Sequence, residues 1–181
     1  MPYAQVDHNK FVFVGRLDEN KGIEFLLRVW GKCKGKQLVI FGTGRLEKQV
    51  QKAALETPNI IFKGFQNHES VLKELRTAEA MIFPSECYEG FPMALIESFA
   101  VGTPVICTDL GNPTDIVRSA RAGYCFRRGD EKDFCNKLHL VCGSPTLHKA
   151  ARSAYEKCYT PECNYQILKQ IYDKVCEENH A

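Results

Sequence analysis

A chain of 181 residues is long enough for one sizeable domain, and its composition, 44% hydrophobic and 25% charged, is ordinary for a globular protein in water. A formal net charge of +2 makes no demand for nucleic acid or an anionic membrane as partner. The longest apolar runs, such as AMIFP and QLVIFG, are strand-sized and too short to span a bilayer, and the polar start MPYAQVDHNK has no signal-peptide core.

After a polar segment over 1–10, strand and helix patterns alternate through a single domain over 11–181. FVFVG (11–15) reads as a buried strand, and GIEFLLRVWGKC (22–33) has helical apolar spacing through Ile23, Leu26, Leu27 and Trp30. KQLVIFGTG (36–44) is a second strand ending in glycines, RLEKQVQKAAL (45–55) a second helix, and NIIFKG (59–64) a third strand. HESVLKELRTAE (68–79) is a helix with Asn67 or His68 near its cap, followed by strand AMIFPS (80–85). PMALIESFAVG (92–102) is a helix with Pro92 in its first turn and Gly102 past its end. Strand PVICTD (104–109), helix PTDIVRSA (113–120), strand AGYCFR (122–127) and helix DEKDFCNKLHLVC (130–142) follow. The tail predicts two more helices, over 146–158 and 164–179.

The strands are continuous apolar runs, which fits a parallel sheet buried on both faces. Right-handed crossovers then give an α/β, Rossmann-like, doubly wound sheet of about six strands. Nine cysteines, at 33, 87, 107, 125, 135, 142, 158, 163 and 176, are odd in number and form no CxxC pair. Several lie inside apolar runs, as reduced thiols of a cytosolic protein would, and their spacing matches no common zinc pattern, so no metal site is expected.

In a doubly wound sheet, ligands bind outside the carboxyl ends of the strands. The first such loop, GRLDENKG, carries Gly15, Arg16 and Lys21, a planar fork and a point charge suited to a diphosphate. The second, GTGR, carries Gly42 and Gly44. It fails the G-x-G-x-x-G fingerprint, whose third glycine falls on Glu47, and leaves two readings: close approach of a ligand to the backbone, or a tight strand-to-helix turn. The fourth, SECYEGFP, leads into the helix at Pro92. Backbone N–H groups around Gly90, Phe91, Met93 and Ala94 then point outward at a helix start, which favours an anion such as phosphate. Glu89 lies just before that start and Glu97 in the second turn, stacked over Met93. A carboxylate accepts several hydrogen bonds and a vicinal diol donates two, so carboxylates flanking a phosphate-binding helix start suit a nucleotide sugar.

These residues resemble the retaining glycosyltransferases of GT-B fold that carry an E-x7-E motif, here Glu89 to Glu97 as EGFPMALIE. The family's GRL…KG element is here GRLDENKG, and its strand entry is AVGTPVICT. The resemblance runs over about 11–142 and implies the C-terminal, donor-binding half of such an enzyme, with the N-terminal acceptor domain as the missing partner. It implies that Arg16 and Lys21 hold the donor diphosphate and stabilise the leaving group. Glu89 would hold hydroxyls of the donor sugar and Glu97 the ribose diol. Gly90, Phe91, Pro92 and Met93 would present backbone to sugar and phosphate. The donor would be a UDP-, GDP- or ADP-sugar, its base read near 62–65, with no metal or other cofactor. The expected acceptor is a polysaccharide or glycolipid, in a cytoplasmic enzyme or one held peripherally at the inner face of the cell membrane. Two departures stand out. Pro92 replaces the glycine of EGFG and removes one N–H, and GNPTD, with Asn112 and Asp115, replaces the usual GGxPE. The alternatives are a nucleotide-sugar-binding module without turnover of its own, and a related GT-B epimerase or phosphorylase.

Overall fold

The computed structural model describes residues 5–179. Six parallel strands form one sheet in the order β3-β2-β1-β4-β5-β6. They are β1 (Asp7–Val14), β2 (Gln37–Phe41), β3 (Ile60–Gly64), β4 (Ala78–Phe83), β5 (Val105–Thr108) and β6 (Gly123–Phe126). The helices are α1 (Ile23–Trp30), α2 (Glu47–Glu56), α3 (His68–Arg76), α4 (Met93–Ala100), α5 (Asn112–Ala120), α6 (Glu131–Val141), α7 (Pro145–Ala154) and α8 (Pro161–Asn179). This is the α/β Rossmann-like sheet expected, and the strand order reverses between β1 and β4, the switch point where a crevice opens.

Alternate residues of each strand feed opposite cores, which is why the strands read as unbroken apolar runs. Phe11, Phe13 and Ile40 join Leu26, Trp30 and Phe134 on one face. Val12, Val39 and Met81 join Leu95, Phe99 and Val117 on the other. The first core is aromatic: Phe25 stacks on Phe126 at 5.5 Å, and Phe134 meets Phe126 edge-on at 5.0 Å. Each such pair adds about 0.5–1.5 kcal/mol to the burial of its area, fastening α1 and α6 to the β6 side of the sheet.

The boundaries differ from expectation in three instructive places. The polar segment over 1–10 does not end where the sheet begins, because β1 starts at Asp7; residues 1–4 lie outside the described residues. Polar Lys10 fits a strand because its ammonium bonds Glu74 at 2.9 Å and also Thr77, at the end of α3. Likewise β4 takes Ala78 and Glu79 from the expected helix. Glu79 is completely buried, its oxygens bonded by the Gly143 N–H at 2.6 Å and by His8. In the tail, α7 runs into a π-helical turn, Tyr155–Tyr159, and α8 opens at Pro161, three residues early, where proline's fixed φ suits a first helical position. That turn brings Tyr159 to 6.3 Å from the ring of Phe91.

Candidate functional site

A cavity of about 210 Å³ opens at the carboxyl ends of β1 and β4, and its walls include Gly15, Arg16, Lys21, Glu89, Phe91, Pro92 and Met93. The sheet order brings these together, because β1 and β4 are neighbours in space although far apart in sequence.

Gly22 sets the first loop. It takes φ +70° as the residue before α1, and a Cβ there would lie 1.8 Å from the Pro84 carbonyl oxygen. Only glycine permits this approach, and it delivers Lys21 to the loop after β4. There the Lys21 ammonium donates to Glu89 Oε1 at 2.5 Å, and Ser85 Oγ donates to the same oxygen at 2.7 Å. Cys87 Sγ lies 3.7 Å from it. Burial raises the Glu89 carboxyl pKa, but hydrogen bonds from Lys21 and Ser85 outweigh it, and the group is held below the ordinary carboxylate value. All three contacts converge on one oxygen. A carboxylate offers about four lone-pair sites on two oxygens, so Glu89 retains capacity for ligand hydroxyls.

Arg16 is exposed and anchored by Asp18, 3.1 Å away. Asp18 is itself buried and accepts from the Arg45 N–H at 3.2 Å. Gly42 and Gly44 are not in the cavity wall. A Cβ on Gly42 would meet Gly15 O at 1.8 Å, and one on Gly44 would meet Leu17 O at 2.6 Å. Of the two readings of GTGR, the structure displays the tight turn: these glycines let the loop after β2 lie on the loop after β1.

Pro92 caps α4 instead of occupying its first turn, with φ −81° and ψ 85°. Its carbonyl accepts from Leu95 at 3.0 Å and Ile96 at 3.2 Å, so Met93 and Ala94 contribute the N–H groups of the orphan first turn. Met93 is exposed at the cavity mouth. Gly90 stands beside the wall, its carbonyl taken by the Asn112 amide at 2.6 Å. Glu97 lies outside the cavity wall on α4, with a carboxylate oxygen 3.2 Å from His68 Nε2 at the start of α3.

Ser85, Gly22, Asp18 and His68 were not among the expected site residues. Ser85 and Gly22 had a readable signal, since both stand in the two loops singled out. Asp18 stands in the first of those loops too, two residues from Arg16, whereas His68 meets Glu97 only through the fold and carried no local mark. Among the described residues no helix is long and apolar enough to cross a membrane.

Known proteins give the arrangement a context. An uncharacterized glycosyltransferase of Methanocaldococcus jannaschii is 32% identical over 64% of this chain and 31% of its own length. The solved sucrose-phosphate synthase of Thermosynechococcus elongatus superposes with a TM-score of 0.80 at 25% identity, over 98% of this chain and 47% of that one. HepE of Anabaena, solved with UDP-glucose, shares the fold at 16% identity with a TM-score of 0.77, over 91% of this chain and 49% of its own. The chain therefore spans about a third to a half of these proteins' lengths. The model of the family described as glycosyl transferases group 1 matches residues 4–157, most of the sequence, and the chain belongs to that family.

Proposed function

We propose that this chain binds a nucleoside-diphosphate sugar at the β1/β4 crevice as the donor domain of a retaining, metal-independent glycosyltransferase. The group transferred is a hexose, and the acceptor a polysaccharide or glycolipid. The observation that carries the reading is the Lys21–Glu89 pair: a cation and a carboxylate from two different loops, held together in the wall of a cavity beside a helix start. In this reading Lys21 and Arg16 take the diphosphate and stabilise the leaving nucleoside diphosphate, with first-turn N–H groups of α4 adding dipole attraction. Glu89 keeps its charge and accepts hydroxyls of the sugar. Glu97 takes the ribose diol, which must share or displace the His68 contact. The UDP-glucose bound by HepE, a protein of the same fold, supports a nucleotide sugar as ligand.

A second reading is a module that binds the nucleotide sugar and transfers it only together with an acceptor domain. A full-length enzyme would then work in the cytoplasm or at the inner membrane face. Half a cleft cannot exclude water or position an acceptor, so the 181 residues alone are expected to show no transfer. The test is titration calorimetry with UDP-, GDP- and ADP-sugars, with and without EDTA. One of them should bind in both conditions and, at 100 times its dissociation constant, stabilise the fold by about 2.7 kcal/mol. Binding that vanishes on chelation, or no binding by any of the three, overturns the proposal.

A further inference from the structure

We propose that Cys107 and Cys125 form a reversible disulfide, making the β5–β6 pair a two-electron redox site whose oxidant is a peroxide. The two residues are register partners on adjacent parallel strands, so their side chains leave the same face of the sheet. Neighbouring strands lie about 4.8 Å apart, inside the roughly 4.4–6.8 Å between Cα atoms that a disulfide spans. The sulfurs already stand 3.6 Å apart, with Cys107 as donor. Bond formation therefore needs side-chain adjustment and no rearrangement of the sheet.

The two thiols are not equivalent. Cys107 is fully buried, and its contact with Cys125 together with burial pushes its pKa well up. Cys125 is half-buried. The hydrogen bond from Cys107 draws its thiol down against the cost of burial, Arg118 helps, and Asp109 opposes. Arg118 also pairs with Asp109 at 3.1 Å, so the guanidinium is shared between carboxylate and thiol. A partly accessible thiol with a lowered pKa beside a cation is the environment in which cysteines react. The Cys125 thiolate attacks a peroxide oxygen. An S–O bond forms, the O–O bond breaks, and hydroxide leaves as water after gaining a proton. Cys107 then attacks the sulfur of the resulting sulfenic acid, forming S–S and breaking S–O, and a second water departs with the Cys107 proton. Two thiols are oxidised and one hydrogen peroxide becomes two waters.

Cys33 offers the contrast. It also has a cysteine neighbour, Cys135, but burial first, and then that neighbour, push its pKa up to about 12. Thiol proximity alone therefore does not favour Cys33.

The experiment treats the folded 181-residue chain with a small excess of hydrogen peroxide, blocks free thiols with N-ethylmaleimide, and maps the tryptic peptides by mass spectrometry. The expected product joins the peptide over 122–127 to that over 77–118 through Cys107, two hydrogens lighter, and dithiothreitol returns both thiols. Cys125→Ser should leave Cys107 fully alkylatable after unfolding. Cys107→Ala should leave Cys125 as a sulfenic acid that dimedone traps. A link formed first between Cys33 and Cys135, or Cys125 recovered only as free thiol or sulfinic acid in the wild-type chain, overturns the proposal.

Discussion

Glu79 and Glu89 bracket one strand. Glu79 enters β4 at the bottom of the sheet, and Glu89 stands in the loop that leaves β4 at the top. Both are paired, yet they are used differently. Each oxygen of Glu79 has its own protein partner, the Gly143 N–H on one and His8 on the other, and the side chain is fully buried. Glu89 receives all its partners on one oxygen and stands in a cavity wall with 16% of its side chain exposed. A carboxylate sealed in the fold with both oxygens partnered serves stability. One held through a single oxygen in a cavity wall is placed for the ligand role proposed above.

The largest expected effect tests the lower end. Glu79→Ala removes the acceptor of the Gly143 N–H and of His8 and should cost about 3 kcal/mol, two hydrogen bonds to one fully buried carboxyl at about 1.5 kcal/mol each. Urea unfolding measures this loss, while nucleotide affinity of the folded fraction should be unchanged. Next comes the upper end. Glu89→Gln should weaken a nucleotide sugar by about tenfold or more, the 1.5–3 kcal/mol of a charged hydrogen bond, while leaving the nucleoside diphosphate alone. Glu97→Gln should weaken both ligands equally. If the two glutamine variants behave alike across ligands, the proposed division between sugar and ribose is wrong.

Arg16→Ala should act more mildly, because the side chain is exposed and solvent screens it. We expect a loss of a few-fold to tenfold for any diphosphate ligand and none for a bare nucleoside, read by calorimetry at two salt concentrations.

The smallest effect is in pH. His148 packs under Gly102 with its pKa lowered from 6.5, chiefly by burial. The neutral ring is the form the fold prefers. Its stabilising share is thus present above the unfolded value near 6.5 and is lost as pH falls through the lower folded value. Glu89, lowered from 4.5, keeps its share to more acidic pH and loses it only below that value. Acid should therefore weaken the lower end of the sheet before the upper, and His148→Gln should remove the first of the two steps from a stability profile.

The sheet was legible because strands buried on both faces write unbroken apolar runs, and the crevice because glycines and charges gathered after the strands. Glu79 was misread as the end of a helix for a physical reason. Glutamate favours helices, a buried charge is rare, and its partners His8 and Gly143 lie 71 and 64 positions away. Gly42 and Gly44 announced themselves, but not whether a ligand or another loop would meet them. That depends on the Gly15 and Leu17 carbonyls, which only the fold brings near. Glu97 was correctly placed on its helix, but its contact with His68 could not be read, since α3 and α4 meet across the sheet's surface and not along the chain.

The 68 positions between Lys21 and Glu89 have a consequence for the order in which the protein assembles. The first three strands and their helices are contiguous, and β1 and β2 pair through one local crossover. They carry Arg16 and Lys21 but no carboxylate of the crevice. Only when β4 docks beside β1, closing a long loop at an entropic cost, does Glu89 reach Lys21. The crevice is thus a late product of folding, and a chain still being synthesised exposes Lys21 before its counter-charge exists, while Arg16 already has Asp18 in its own loop. Nucleotide capture during refolding should accordingly lag behind the appearance of helical signal, and would serve as a clock for the closing of the sheet's central seam.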